Sequence, residues 1–140
     1  MNLLIYTNSL LFTFLTLLHI YWAFGGRWGY SSAIPTTNQG KPIFQPGRIA
    51  CLLVAFGLIG FFLITVSVKI PGVPARLQAL HPLALTLIGI VFGLRAIGDK
   101  NYVGLFRKLS ETEFGQMDKK LFTPLCLYLS ISSAILAFFS

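Results

Sequence analysis

The residues best suited to chemistry gather at the ends of two apolar runs. His19, Tyr21, Trp22, Arg27 and Trp28 cluster around the end of the first, and Arg95, Asp99 and Tyr102 around the end of the third, with Arg107 and Lys108 close behind. Arg95 and Asp99 stand four apart and share a helix face, where guanidinium and carboxylate can pair. Arg95 then lies about 6 Å deeper than Asp99 along the axis. An arginine at such a depth either snorkels or faces the bundle interior, so this pair either fixes a helix end or belongs to a binding site. His19 can hold or release a proton near neutral pH or contact a ligand; it can equally be a hydrogen-bonded packing residue. Arg27 follows two glycines and can offer its planar fork to phosphate or carboxylate. The candidate ligand-binding set is therefore His19, Trp22, Arg27, Trp28, Arg95, Asp99, Tyr102, Arg107 and Lys108, and the chemistry it suggests is capture of a lipid headgroup or small anion. An alternative is a membrane enzyme acting on a lipid-soluble substrate, with His19 and Asp99 as acid or base.

These residues must be positioned by membrane-spanning helices. Of 140 residues, 55% are hydrophobic and 11% charged, whereas soluble domains carry about 25% charged residues. So few charges cannot clothe a water-facing surface. The length fits one domain, 1–140. Four runs are long and apolar enough to cross about 30 Å of hydrocarbon, at 3–24, 49–68, 75–98 and 121–139. The first has no basic residue before it and no small-residue cleavage site after it, and reads as a retained span. The third passes through His81-Pro82, where the missing proline amide can kink it. Gly89 and Gly93 put two glycines on one face of the third run, which allows close helix contact within the chain or in a homodimer. Pro124 falls in the first turn of the fourth, where it costs little. The fold class expected is all-α, a four-transmembrane-helix bundle.

Charge sets the expected orientation. Loop one carries Arg27, Lys41 and Arg48, and loop three carries Lys100, Arg107, Lys108, Lys119 and Lys120, against only Lys69 and Arg76 in loop two. By the positive-inside rule, loops one and three face the cytoplasm and both termini face out. The net charge of +7 is thus explained by cations flanking spans, where they also attract anionic lipid, and nucleic acid is not an expected partner. Membrane lipids are, and a larger membrane complex that takes the chain as an accessory or structural subunit is the alternative.

The two helical hairpins echo each other, with Phe44-x-Pro46 before the second span and Phe122-x-Pro124 at the fourth, each followed by a cysteine, so a tandem repeat about an axis along the membrane normal is one reading. Within loop three, Tyr102, Leu105, Phe106 and Leu109 recur at helical spacing beside Arg107 and Lys108, which predicts a short amphipathic helix in the headgroup zone. Ser110 to Glu113 has the form of a capping box and predicts a further turn before Asp118.

Other chemistries find no support. Cys51 and Cys126 form no CxxC pair and sit in apolar runs as packing residues. His19 and His81 fall at opposite ends of their spans, which disfavours a bis-histidine haem, and no cluster supplies the ligands of a zinc site. All four acids lie at or beyond expected helix ends, which weakens carboxylate-driven cation export. No cofactor is expected.

In Tyr21-Trp-Ala-Phe-Gly-Gly-Arg-Trp-Gly29, Leu94-Arg-Ala-Ile-Gly-Asp99, Tyr102-Val-Gly-Leu-Phe-Arg-Lys108 and Thr123-Pro-Leu-Cys-Leu127 the chain resembles a family of small bacterial membrane proteins catalogued as a domain of unknown function. The resemblance covers nearly the whole chain, and its first two motifs are fairly specific; residues 31–45 match nothing distinctive. It implies a four-helix integral membrane protein of the bacterial inner membrane and no particular activity.

Overall fold

A computed structural model describes residues Met1–Ser140. The chain is all-α, with four helical stretches long and apolar enough to span a membrane. Helix α1 covers Asn2–Ala23, a four-residue turn α2 covers Tyr30–Ala33, and α3 covers Arg48–Ser67. The third span is broken, with α4 at Ala75–Gln78 and α5 at His81–Ile97. Pro82 has no amide to offer the Gln78 carbonyl, so the helix restarts at His81 instead of bending through it. The fourth stretch begins earlier than 121: α6 at Glu113–Met117 runs through a wide turn at Asp118–Phe122 into α7 at Thr123–Phe139. In that turn the Thr123 amide bonds the Asp118 carbonyl five residues back. A widened, π-type turn just before Pro124 relieves the clash its ring would make with the carbonyl four residues earlier.

The amphipathic helix expected over 102–109 does not form, and the chain turns there without a helix; the further turn expected before Asp118 does form, as α6 at Glu113–Met117. Its cap is Thr112, whose side-chain oxygen accepts the Gly115 amide, so Ser110 does not open a capping box.

The helices pair unequally. α1 packs along α3 and α5 along α7, and the two hairpins touch each other more sparingly through α1 with α7 and α3 with α5. The glycines of α5 explain the second pairing. A Cβ at Gly89 would sit 3.1 Å from the Ser130 carbonyl, and one at Gly93 3.0 Å from the Ser130 hydroxyl, while Ser130 Oγ donates to the Gly89 carbonyl at 2.7 Å. The glycine face is thus spent inside the chain.

Phe12, Phe61 and Phe92 meet at the centre with ring centroids 5.8–6.0 Å apart. On the half carrying the termini, the hairpins are tied by Asn8 Oδ1 accepting from Ser132 Oγ at 2.9 Å and by Ser67 Oγ bonded to His81 Nε2 at 2.8 Å. Large apolar side chains such as Leu10, Leu53, Phe56, Leu87 and Phe138 point outward, the arrangement expected when hydrocarbon is the solvent. Cys51 and Cys126 are both buried and free.

Candidate functional site

At the end of the bundle that carries loops one and three, the organising group is Asp118. Its side chain is wholly buried, and its Oδ1 accepts from Arg95 Nη2 at 3.0 Å. Oδ2 accepts from Arg107 Nη1 at 3.0 Å and from the Gly104 amide at 2.8 Å. Arg107 is nearly as buried, 7% exposed at the side chain, and also donates to the Gly104 carbonyl and to Thr123 Oγ1. Arg95 is 35% exposed. One carboxylate is therefore shared by two guanidiniums. Arg95 Nη1 and Arg107 Nε are buried with no hydrogen-bond partner.

The expected pairing of Arg95 with Asp99 does not form; Arg95 turns to Asp118 across the hairpin. Nor do all four acids lie at helix ends, because Asp118 is buried in the run from α6 into α7. Asp99 serves the loop instead. Its Oδ1 accepts the amides of Asn101, Tyr102 and Val103 at 2.8, 2.5 and 3.1 Å. Burial pushes the Asp99 carboxyl upward, but those amides and the nearby Arg95 charge outweigh it and hold the group below the ordinary carboxylate value. The loop then folds back on α5, with the Asp99 amide bonded to the Val103 carbonyl and the Leu105 amide to the Ala96 carbonyl. Gly98 and Gly104 both adopt positive φ, and a Cβ on either would run into backbone. This tight return delivers Gly104 and Arg107 to Asp118.

Loop one is ordered around Trp22. The indole N–H donates to the Trp28 carbonyl at 2.8 Å, and the ring packs edge-on against His19 and Tyr30. Trp28 and Arg27 are themselves exposed. Arg27 and Arg48 border a polar recess of about 630 Å³ beside Trp22, Tyr30 and Gly47. Ser32 reaches across to donate to the Glu113 carboxylate, which links loop one to α6.

Beneath this cover a cavity of about 510 Å³ opens among all four spans. Its walls are mostly apolar, from Leu15, Leu18, Val54, Phe61, Phe92 and Leu125 among others, and its polar groups are His19, Trp22 and Arg95. Pockets of this size and character are the usual form of small-molecule sites. His19 Nδ1 is bonded to the Leu15 carbonyl at 2.8 Å.

Of the residues singled out from sequence, the structure brings His19, Trp22 and Arg95 to one cavity, with Arg107 behind Arg95 on Asp118. Arg27 lies in the neighbouring recess, which shares Trp22. Asp99, Tyr102 and Lys108 do not line either space, and Lys108 is exposed. Asp118, Arg48 and Gly104 were not foreseen. Asp118 had a signal: Phe114, Asp118 and Phe122 recur every fourth residue, and the two phenylalanine rings pack 6.1 Å apart, which puts the acid on an inward face. No cluster of three or more His, Cys, Asp or Glu side chains forms a metal-binding arrangement.

No curated protein and no solved structure matches this chain. A family model described as a protein of unknown function, DUF3995, matches residues 12–133, a stretch that contains His19, Arg95, Arg107 and Asp118. With that match spanning most of its length, the chain belongs to the DUF3995 family of proteins of unknown function.

Proposed function

We propose that this protein binds an anionic lipid headgroup or small anion at the bundle end formed by loops one and three, with Arg95 as the principal donor. The observation that carries the reading is the charge imbalance around Asp118. Two guanidiniums share a single buried carboxylate, and Arg95 keeps a buried Nη1 donor with no protein partner. Buried donors are normally satisfied, and an anion at Arg95 would satisfy this one while matching the spare charge. Arg27 and Arg48 at the adjoining recess add positive charge at the mouth. Loops one and three together hold eight cations against two in loop two, which supports placing this mouth on the cytoplasmic side of a bacterial inner membrane. Enzyme chemistry by His19 with Asp99 is less well supported, because Asp99 is engaged by loop amides and is not at the cavity.

The test uses the full chain in phosphatidylcholine nanodiscs, titrated with phosphatidylglycerol or with inorganic phosphate. Arg95→Gln should weaken binding by about tenfold or more, the worth of a charge-assisted hydrogen bond. Unchanged binding by a correctly folded Arg95→Gln variant would refute the reading. Tags at both ends that proved accessible only from inside intact cells would overturn the orientation.

A further inference from the structure

The cavity beneath loops one and three has an open side. We infer that the anion reaches Arg95 as the head of a membrane lipid, at least one acyl chain of which passes sideways between α3 and α5 into the cavity. This inference rests on the anion-binding reading above and decides the source of the anion, the bilayer instead of the water phase.

The opening is located by exposure. Of the fifteen residues around the cavity, only Val54 and Val91 are exposed, at 47% and 49%. One stands on α3 and the other on α5, two helices that pack sparingly against each other. Their side-chain hydrogen bond, Ser67 with His81, lies at the loop-two end, so no polar contact shuts the seam beside the two valines. On the α1–α7 side, Leu15, Leu18, Leu125 and Cys126 line the cavity and none is exposed. Val54 follows Arg48, the first residue of α3, by about 9 Å along the axis. At that depth in a bilayer the seam faces hydrocarbon.

What enters is decided by the walls and by what stands at the opening. Twelve of the fifteen lining residues are hydrophobic. Ordered water needs about two to four polar partners, and the apolar walls offer none. Walls that meet no atoms forfeit their dispersion contacts, and the chains of neighbouring lipids lie directly outside. A free anion would answer Arg95 and leave these walls uncovered; a lipid answers both. The chain gains no hydrophobic energy by moving in, because lipid is as apolar as the protein interior, so selection falls to the head. Val91 and Arg95 are four apart on α5, on one face and about 6 Å apart along the axis. A chain lying against Val91 therefore carries its head to the level of the guanidinium, whose Nη1 is buried without a partner. Phe61 and Phe92, packed against Phe12, close the far end, so the cavity takes lipid from one leaflet.

The experiment places the full chain in phosphatidylcholine nanodiscs doped with phosphatidylglycerol or phosphatidylcholine that carries a photoreactive diazirine in one acyl chain, and maps the labelled residues by mass spectrometry. The ratio of phosphatidylglycerol to phosphatidylcholine labelling at Val54 and Val91 should be about tenfold higher than at Leu17 and Leu94, by the worth of a hydrogen bond to a charged group. Leu17 and Leu94 are exposed and do not line the cavity. Arg95→Gln should remove the excess. Gly57 lines the cavity and has open space where a Cβ would go, so Gly57→Leu should plug it, cutting phosphatidylglycerol labelling of Val91 while inorganic phosphate still binds through Arg95. Equal ratios at all four positions, or unchanged labelling of Val91 in Gly57→Leu, would overturn the inference. Equal ratios together with inorganic phosphate binding that depends on Arg95 would overturn it and leave the anion reading standing. An Arg95→Gln variant that alters neither labelling nor phosphate binding would end both.

Discussion

Replacing Asp118 by asparagine tests whether the charge cluster is the keystone of this end of the bundle. The substitution keeps the shape and removes the charge, so Arg107, 7% exposed at its side chain, is left without a counter-ion. It also puts an amide N–H₂ where one of two acceptor oxygens stood, facing either Arg95 or both Arg107 and the Gly104 amide. Breaking a buried ion pair by removing one partner costs about 3–5 kcal/mol. Arg95 adds little, because at 35% exposure its share falls toward the 0–1 kcal/mol of a screened pair. The expected loss is therefore about 3–4 kcal/mol, carried almost wholly by the Arg107 side. Arg107→Gln should come close to it, whereas Arg95→Gln should cost about 1 kcal/mol. Reversible unfolding in mixed micelles, with sodium dodecyl sulfate as denaturant, gives all three values and the Arg107–Asp118 coupling from the double variant. If Arg95→Gln cost as much as Arg107→Gln, or if Asp118→Asn cost under about 1 kcal/mol, the burial argument would be refuted.

Asp99 has a pKa held below its ordinary value, so its hold on loop three is complete above the unfolded carboxylate pKa and is lost as pH falls through the folded one. Limited proteolysis of loop three should accelerate as pH drops below about 3.9, in a step that Asp99→Asn abolishes; a step that persists in the variant would exclude Asp99 as its source. Gly89→Leu should destabilise by about 1–3 kcal/mol through overpacking against Ser130, read by the same micelle titration, and a neutral result would mean that α5 and α7 separate freely. Ser132→Ala should cost only about 0.6 kcal/mol, the mean for interhelical hydrogen bonds in membranes. A loss several times larger would show that the Asn8–Ser132 bond holds the hairpins together by itself.

The spans were legible because lipid imposes a crude rule, about twenty apolar residues with no unpaired backbone group, and the runs around Leu10, Phe56, Ile88 and Leu129 obey it. Gly89 and Gly93 were legible as a contact face, since only a helix brought very close requires bare backbone at that spacing. The partner of Arg95 was not. Its local candidate, Asp99, is four residues away, and its actual one, Asp118, is 23 residues away in an Asp-Lys-Lys sequence that reads as a solvated helix start. The missing loop helix has a similar cause. Tyr102, Leu105 and Phe106 have helical spacing, yet the Asp99 carboxylate takes the very amides at 101–103 that would begin such a turn, and Gly98 and Gly104 steer the backbone elsewhere. Side-chain competition for backbone donors is a short-range effect, but its outcome depends on where the loop must end, at Arg107 and Asp118.

The unequal pairing of the helices bears on biogenesis. Each half of the chain contributes both members of a close helix pair, so the α1–α3 pair can be completed before the second pair leaves the ribosome, and the halves then need only dock. Loop two, with no role in the Asp118 cluster, is the natural seam. Two polypeptides divided there and co-expressed have what they need to meet again in the bilayer, and the interhelical chamber comes into being only at that second, late encounter.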